Sequence, residues 1–419
     1  MDTPPAAVAL TDDLLSEVFL RLPAPDDLAR ASATCVPYRR LAADRAFLRR
    51  FRALHPPPFL GFLDHNGFHP ALPPHASAPA ARALALAADF SFSFIPSPGR
   101  WVVRDVRHGR VLLDRAPDPD DAAAAGQDPA FFTDLAVCDP LHRRCVLLPR
   151  IPDDLAASVE QPCRVEFGRW GEPFLAPLAD DGAEASTDET SFRVISMAQC
   201  KAKLVAFAFS SSTGQWRAVA SPRWSDLMAG TGVPSRSPLF FGRQYARGCF
   251  FWVLDRRDKL LVLDATTMEF SIADLPHGCH RRQIAVVEAE GGRVGMFTLR
   301  DHIADGAGSL LYTVRQDDGD ASSSSKQKQW KVEKTIPLDP AFRHYISGAT
   351  ERHLLLLRFP EHLSSSGVHV SSSADGAGLE CFSVDVKTLQ FQKVCELKHH
   401  ILRAHIYTNF PPPLSSPTI

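Results

Sequence analysis

The sequence lacks the short motifs that mark the common enzyme classes. Its 419 residues contain no P-loop, no G-x-S-x-G, no H-E-x-x-H and no paired zinc cysteines. The nine cysteines are odd in number and scattered without a C-x-x-C pair, which is typical of reduced thiols in a cytoplasmic or nuclear protein rather than of a disulfide framework. We therefore expect a non-enzymatic protein with no catalytic residues, no cofactor and no metal site.

Membrane signals and strong charge are also missing. The first ten residues, MDTPPAAVAL, do not place a basic region before an apolar run, so they do not read as a signal peptide. The longest weakly apolar tract, residues 76–88, is too short to span a bilayer. A net charge of -2 gives no reason to expect nucleic acid or an acidic membrane as a partner. The sequence thus predicts a soluble intracellular protein.

The first fifty residues predict a small unit of three short helices. Thr11 can cap the first helix, and Asp12 and Asp13 then place negative charge at the positive end of its dipole. Four-residue spacing predicts two adjacent apolar stripes on this helix, one with Leu14, Val18 and Leu22 and the other with Leu15 and Phe19. Because so small a unit rarely stabilises itself, part of this surface is expected to meet a partner. The alternative is a plain helical cap packed on the rest of the chain.

This stretch resembles the F-box. The resemblance rests on an acidic turn, a leucine helix that ends in leucine-proline, a second leucine helix, a cysteine, and an aromatic followed by basic residues: Leu10, Asp12, Asp13, Leu14, Leu15, Val18, Phe19, Leu22, Pro23, Leu28, Cys35, Tyr38, Arg39 and Arg40. Thr11, Thr34, Pro37 and Tyr38 depart from the usual residues, but none puts a charge into an apolar stripe.

An F-box implies a Skp-type adaptor as partner and, through that adaptor, a cullin in a RING-type ubiquitin ligase. By carry-over, seven residues should divide between the core of the motif and the adaptor interface: Leu10, Leu14, Leu15, Val18, Leu22, Leu28 and Tyr38.

A repeated strand pattern runs from Trp101 onward and predicts a β-propeller. Five anchors, Cys145, Trp216, Phe270, Trp330 and Phe391, recur at about 55 to 70 residues, which is the length of a four-stranded blade with its loops. A sixth blade can be closed by a strand near Phe59 or Phe90 that pairs with the C-terminal strand near Ile406, and such pairing removes exposed sheet edges. We therefore expect five or six blades.

The opening of this region resembles the F-box-associated, kelch-like domain of plant F-box proteins. The matching residues are Trp101 to Asp105, Gly109 to Leu113, Val137 to Pro140, and Leu148 with Pro149. The expected fold is a multidomain α plus all-β chain. Its predicted parts are a disordered N-terminus (1–9), the three-helix F-box (10–54), a linker (55–90), the propeller (91–410) and a tail (411–419).

Several local features allow more than one interpretation. Residues 89–94 alternate polar and apolar, which predicts a half-buried strand. Cys138 and Cys145 can face each other across two strands, but His142 alone is too little to complete a metal site. Trp216, Trp252 and Trp330 fit blade core better than a ligand pocket. His65 and His69 indicate a turn, and His399 and His400 indicate a solvated surface. Four polar segments predict mobile loops: 117–129, 179–190, 317–329 and 364–378.

Together these expectations favour a substrate receptor of a cullin-RING ubiquitin ligase, with an unknown target protein held by the propeller. A non-catalytic scaffold outside ubiquitination is the first alternative. A glycan-binding propeller or propeller enzyme with a helical cap is the second, and it predicts an exposed aromatic platform or clustered acidic and histidine residues on one edge of a blade.

Overall fold

The computed structural model forms two compact units, Met1–Pro58 and Phe59–Ile419. It describes residues 11–408 except for 23–24, 56, 98, 117–131, 166–167, 170, 178–190, 232–239, 255–257, 277–278, 280–282, 301–307, 317–329, 361–377, 400 and 402. The predicted N-terminal disorder, the tail and three of the four predicted loops lie outside the described residues, as does all of the fourth loop except Gly378.

The described residues of the first unit form four helices, not the three expected. They are α1 (Asp12–Leu20), α2 (Pro25–Ser32), α3 (Val36–Ala43) and α4 (Arg45–Leu54). The predicted third helix is divided at Asp44, whose backbone is extended and whose carboxylate accepts a hydrogen bond from the Phe47 amide at 2.8 Å. An aspartate N-cap starts a new helix, which periodicity alone does not reveal. The predicted cap at Thr11 is present, since its hydroxyl accepts from the Leu14 amide.

The core of the first unit is a cluster of buried aromatic and leucine side chains contributed by its helices. Phe19 lies between Tyr38 and Phe47, with ring centroids 5.1 and 6.5 Å away. Leu28 and Phe51 complete the buried cluster. The aromatic side chains therefore hold α1 against α3 and α4.

The second unit is a six-bladed β-propeller, so the larger of the two expected blade counts is the one found. In chain order its first elements are β1 (Phe59–Asp64), β2 (Gly67–Pro70), α5 (Ala78–Ala87), β3 (Trp101–Arg107), β4 (Arg110–Arg115), β5 (Leu135–Asp139), β6 (Arg144–Leu147), α6 (Asp153–Ala156), β7 (Arg164–Val165), β8 (Gly168–Arg169), β9 (Gly171–Ala176), β10 (Arg193–Gln199), β11 (Leu204–Ser210), β12 (Gln215–Ala218) and α7 (Trp224–Leu227).

The remaining elements complete the ring. They are β13 (Phe240–Ala246), β14 (Cys249–Leu254), β15 (Lys259–Asp264), β16 (Phe270–Asp274), β17 (Ile284–Glu288), a 3₁₀ turn (Glu290–Gly292), β18 (Val294–Arg300), β19 (Ser309–Arg315), β20 (Trp330–Pro337), β21 (Phe342–Ala349), β22 (His353–Pro360), β23 (Leu379–Asp385), β24 (Phe391–Leu397) and β25 (His405–Thr408).

Each blade is one antiparallel sheet. Blades 1 to 5 are β3–β6, β9–β12, β13–β16, β17–β20 and β21–β24, and blade 6 has the order β2-β1-β25. β7 and β8 form a separate hairpin. The five predicted anchors all lie in the outermost strand of their blades: Cys145 in β6, Trp216 in β12, Phe270 in β16, Trp330 in β20 and Phe391 in β24. The repeat read from the sequence is therefore the blade repeat.

Blade 6 joins the two ends of the propeller chain. Phe62 of β1 is opposite Ile406 of β25, which confirms the closure predicted near Phe59. The expected linker at 55–90 differs from the structure, because β1, β2 and α5 pack within the propeller unit. The strand predicted at 89–94 is wrong: this segment is a series of turns in which the Asp89 carboxylate accepts from Ser91 and Ser93. Phe90 instead stacks on Phe68, with ring centroids 4.2 Å apart.

Neighbouring blades are joined by side chains of their first strands, which contact one another around the axis. Asp105 of β3 accepts from the Leu175 amide of β9 at 2.8 Å. Gln244 of β13 donates to the Ile284 carbonyl of β17 at 2.8 Å. These bonds satisfy backbone groups at the inner sheet edges, where no further strand is available. No helix in the described ranges is long and apolar enough to cross a bilayer.

The outer strands are joined in a second way, by indole groups. Trp216 donates to the Pro149 carbonyl of the preceding blade at 2.7 Å, and Trp330 donates to the Asp274 carbonyl at 3.0 Å. We expect Trp216→Phe to lower the free energy of unfolding by about 1 kcal/mol, because the ring still packs but the hydrogen bond is lost. Trp330→Phe should act similarly, and the double variant should be additive because the two sites share no partner. Urea unfolding at unchanged slope measures the effect, and unaltered midpoints would show that the indole bonds contribute nothing.

Candidate functional site

Helix α1 carries an exposed apolar face. Leu14 and Val18 are 54% and 49% exposed and lie four residues apart, so they are neighbours on the helix surface. Leu15, Phe19 and Leu20 of the same helix are buried. We call the pair Leu14 and Val18 the α1 face. The sequence indicates this exposed face. The two apolar stripes predicted for the first helix are together too wide to be buried by a unit of four short helices.

The seven predicted adaptor-binding residues separate into three groups. Leu10 lies outside the described residues. Leu15 and Leu28 are buried, and Leu22 and Tyr38 pack partly against the same core. Only Leu14 and Val18 are predominantly exposed among the six described residues. Val36, at the start of α3, is a further exposed apolar residue at 58%, and sequence reasoning did not select it.

A second group of polar side chains meets where blade 6 closes. Asp64 ends β1, His69 lies in β2, and His399 lies between β24 and β25. His69 Nε2 is 2.9 Å from Asp64 Oδ1, and His399 Nε2 is 2.7 Å from Asp64 Oδ2. One donor atom from each residue lies within 4.8 Å of the other two. We call this the Asp64 cluster.

The Asp64 carboxylate is held charged by its partners. Its side chain is fully buried, and burial alone would raise its pKa, but the hydrogen bonds with His69 and His399 and the bond from the Asn66 amide hold that pKa well below its usual range. The two imidazoles are partly open, with side chains 18% and 30% exposed. The cluster is thus a fixed anion flanked by two accessible nitrogen ligands.

A third group lies at the inner strands around the propeller axis. Arg243 of β13 bridges Asp105 at 2.9 Å and Glu172 at 2.7 Å, and its side chain is only 5% exposed. Glu172 also accepts from Trp252 at 2.8 Å and from Arg403 at 3.3 Å. Burial alone would raise the pKa of Glu172, but the Arg243 and Arg403 guanidinium groups lower it below its ordinary value. Each of these charges has an opposite partner, so the group serves to hold blades 1, 2 and 3 together.

The sequence placed Cys138 and Cys145 opposite each other on two strands, and the structure confirms this. Cys138 of β5 and Cys145 of β6 are directly opposite in the register. Burial raises the pKa of both thiols, so both carry their protons at neutral pH and bind metal poorly. His142 is hydrogen-bonded instead to Asp139, with Nδ1 2.6 Å from the carboxylate. None of the nine cysteines, all of which lie among the described residues, is in a disulfide.

The tryptophans are blade core, as expected. Trp216 and Trp252 are buried, and Trp330 packs against the cluster of blades 3 and 4. None of the three forms an exposed aromatic platform.

Comparison with known proteins adds fold similarity alone. No protein-family model matches the chain, and no curated protein matches it. Among solved structures, AztD from Citrobacter koseri is 12% identical with a TM-score of 0.28, over 75% of this chain and 64% of that one. YCF48 from Cyanidioschyzon merolae is 9% identical with a TM-score of 0.33, over 68% of this chain and 66% of that one. This chain thus spans slightly less than two thirds of either protein, and at these values the similarity says nothing about function.

Sequence reasoning missed the Asp64 cluster. It assigned His69 to a turn and His399 to a solvated surface, and 335 positions separate Asp64 from His399. The signal that was available is the closure itself: once β1 is paired with β25, the residues after β1 and before β25 must lie at the same end of blade 6.

Proposed function

We propose that this chain is the substrate receptor of an SCF-type cullin-RING ubiquitin ligase, with an F-box formed by residues 10–54 and a kelch-like propeller of the type found in plant F-box proteins. In this proposal the helical unit binds a Skp-type adaptor and, through it, a cullin. The propeller binds a target protein, and the complex acts in the cytoplasm, the nucleus or both.

The α1 face is the observation that carries the proposal. Two large apolar side chains about half exposed, side by side on a helix whose other face is buried, leave apolar surface in water on a unit of only four short helices. Leu14 and Val18 are also among the seven residues that the F-box resemblance divides between the core of the motif and the adaptor interface. Their exposure favours the interface for these two.

The proposed mechanism is proximity. A receptor that holds a target lysine near the ubiquitin-charged enzyme converts a bimolecular encounter into a positioned one and does no covalent chemistry itself. Loops between strands supply the surface for the target.

Co-expression of the full chain with a Skp-type adaptor tests the proposal. Size-exclusion chromatography with light scattering should show a stable one-to-one complex, and separate elution of the two proteins would overturn it. Adding cullin, the RING subunit and a ubiquitin-charged conjugating enzyme distinguishes the receptor from a scaffold. A receptor should become ubiquitinated on its own lysines, whereas a scaffold outside ubiquitination should stay unmodified in the same complex.

A further inference from the structure

The Asp64 cluster has the donor set of a transition-metal site. Two imidazole nitrogens and one carboxylate converge, and a neutral imidazole with a carboxylate suits Zn²⁺ among the divalent ions. Zinc binds such ligands at ~2.0–2.2 Å, so that two ligands of one ion lie roughly 3–4 Å apart. The three donor atoms, all within 4.8 Å of one another, are therefore close to the spacing an ion needs.

The carboxylate is also oriented before any ion arrives. Asp64 Oδ1 accepts from the Asn66 amide at 2.7 Å, a bond within the tight turn between β1 and β2. His69 is fixed by the register of the same hairpin, in which it is opposite Phe62, and the two rings lie 5.0 Å apart. Outer contacts of this kind orient metal ligands in proteins.

His65 lies near the cluster on the same turn, but it is not one of the three residues whose donor atoms converge. Its ring is exposed and lies 5.6 Å from the ring of His399. A water molecule can complete four-coordinate geometry, and the exposed parts of His69 and His399 leave the ion a path from solvent.

We propose that Asp64, His69 and His399 bind one Zn²⁺ ion, which fastens the first strand of the propeller to the segment before its last strand. In the bound state each imidazole presents Nε2 to the metal, so the proton that Nε2 donates to Asp64 moves to Nδ1 or leaves to solvent. The ion replaces two hydrogen bonds to Asp64 by coordination, and it links residues 335 positions apart. Because these residues are far apart in the unfolded chain, the ion should bind the folded propeller and stabilise it by that preference.

The test uses the full chain, stripped with EDTA and then desalted. Competition with a chromogenic zinc indicator should show one Zn²⁺ per chain, and saturating zinc at a hundred times its Kd should raise the Tm of the propeller transition by about 3–4 °C. Co²⁺ bound in place of zinc should give visible bands without thiolate charge-transfer absorption, because the ligands are nitrogen and oxygen. Absence of stoichiometric binding, or a thiolate spectrum from the free cysteines, would overturn the site.

Matched variants locate the ion. His69→Gln and His399→Gln keep a hydrogen-bond donor towards Asp64 but remove a ligand, so zinc affinity should fall by at least the ~100-fold that loss of an outer contact costs. His142→Gln is the control, because His142 also pairs with an aspartate, at 2.6 Å, in blade 1. It should bind zinc as the parent does. The proposal is overturned if the metal-free Gln variants have the same Tm as the metal-free parent and still bind zinc with the same rise in Tm. In that case zinc binds elsewhere, and the Asp64 cluster is a hydrogen-bonded contact only.

Discussion

A chain that carries Leu14→Asp and Val18→Asp together should no longer form a complex with a Skp-type adaptor. Both side chains are about half exposed, so charges there leave the core of the helical unit intact, and the free energy of unfolding should change by at most ~0.5 kcal/mol per site. In an apolar interface each unpaired carboxylate is desolvated without a partner. At about 2 kcal/mol or more per central interface residue, the two changes weaken binding by roughly a thousandfold.

Leu54→Asp supplies the matched control. Leu54 is 61% exposed and ends α4 in the same unit, but it is not on the α1 face. It should bind the adaptor with nearly the affinity of the parent in a calorimetric titration. Equal affinity of the double variant and the parent would contradict the proposed interface, while loss of binding in both variants would indicate a nonspecific effect of charge. Leu15→Asp, which buries a charge, should instead unfold the helical unit.

The outer half of each blade could be predicted from the sequence, because its strands pair through tight turns with strands that are near them in the chain. The middle strands, such as β10 and β18, are buried along almost their whole length and appear in the sequence as short apolar runs. The outer strands follow them after tight turns, so their anchors recur in register. Closure by the N-terminal strand followed from a general argument about sheet edges, and Phe62 opposite Ile406 confirms it.

Three of the inner strands, β9, β13 and β21, were not recognised in the sequence, for a physical reason. β9 begins Gly-Glu-Pro, β13 contains Gly-Arg-Gln and β21 contains Arg-His-Tyr. In β9 and β13 polar side chains bond to the neighbouring inner strand, as Glu172 does to Arg243 and Gln244 to the Ile284 carbonyl. Their polar side chains hide the alternation that identifies a strand. The Asp64 cluster was also missed. Its residues are far apart in the chain and come together only when blade 6 closes, so no local pattern in the sequence indicates that they are neighbours.

Replacing Arg243 by methionine should destabilise the propeller more than any exposed charge change. The Arg243 side chain is only 5% exposed. Its guanidinium group lies 4.8 Å from the centre of the Phe174 ring and pairs with both Asp105 and Glu172. Methionine fills most of the volume but leaves two carboxylates without this partner. Breaking such a buried pair costs about 3–5 kcal/mol. For a unit of this size that lowers the Tm by about 4–7 °C in calorimetry.

The pH dependence of the loss of stability in Arg243→Met shows whether the unpaired Glu172 carboxylate causes it. In the parent, Glu172 has a lowered pKa, so it contributes stability at neutral pH that is lost as the pH falls through that pKa. In Arg243→Met only Arg403 and the hydrogen bond from Trp252 oppose burial, so the pKa of Glu172 should rise and protonation should relieve the unpaired charge. The difference in Tm between parent and variant should therefore be larger at pH 7.5 than at pH 4.5. Arg150→Met is the control, because Arg150 is 85% exposed in its pair with Asp134 and should change the Tm very little. A difference for Arg243→Met that does not vary with pH would mean that lost packing, not the unpaired Glu172 carboxylate, destabilises the variant.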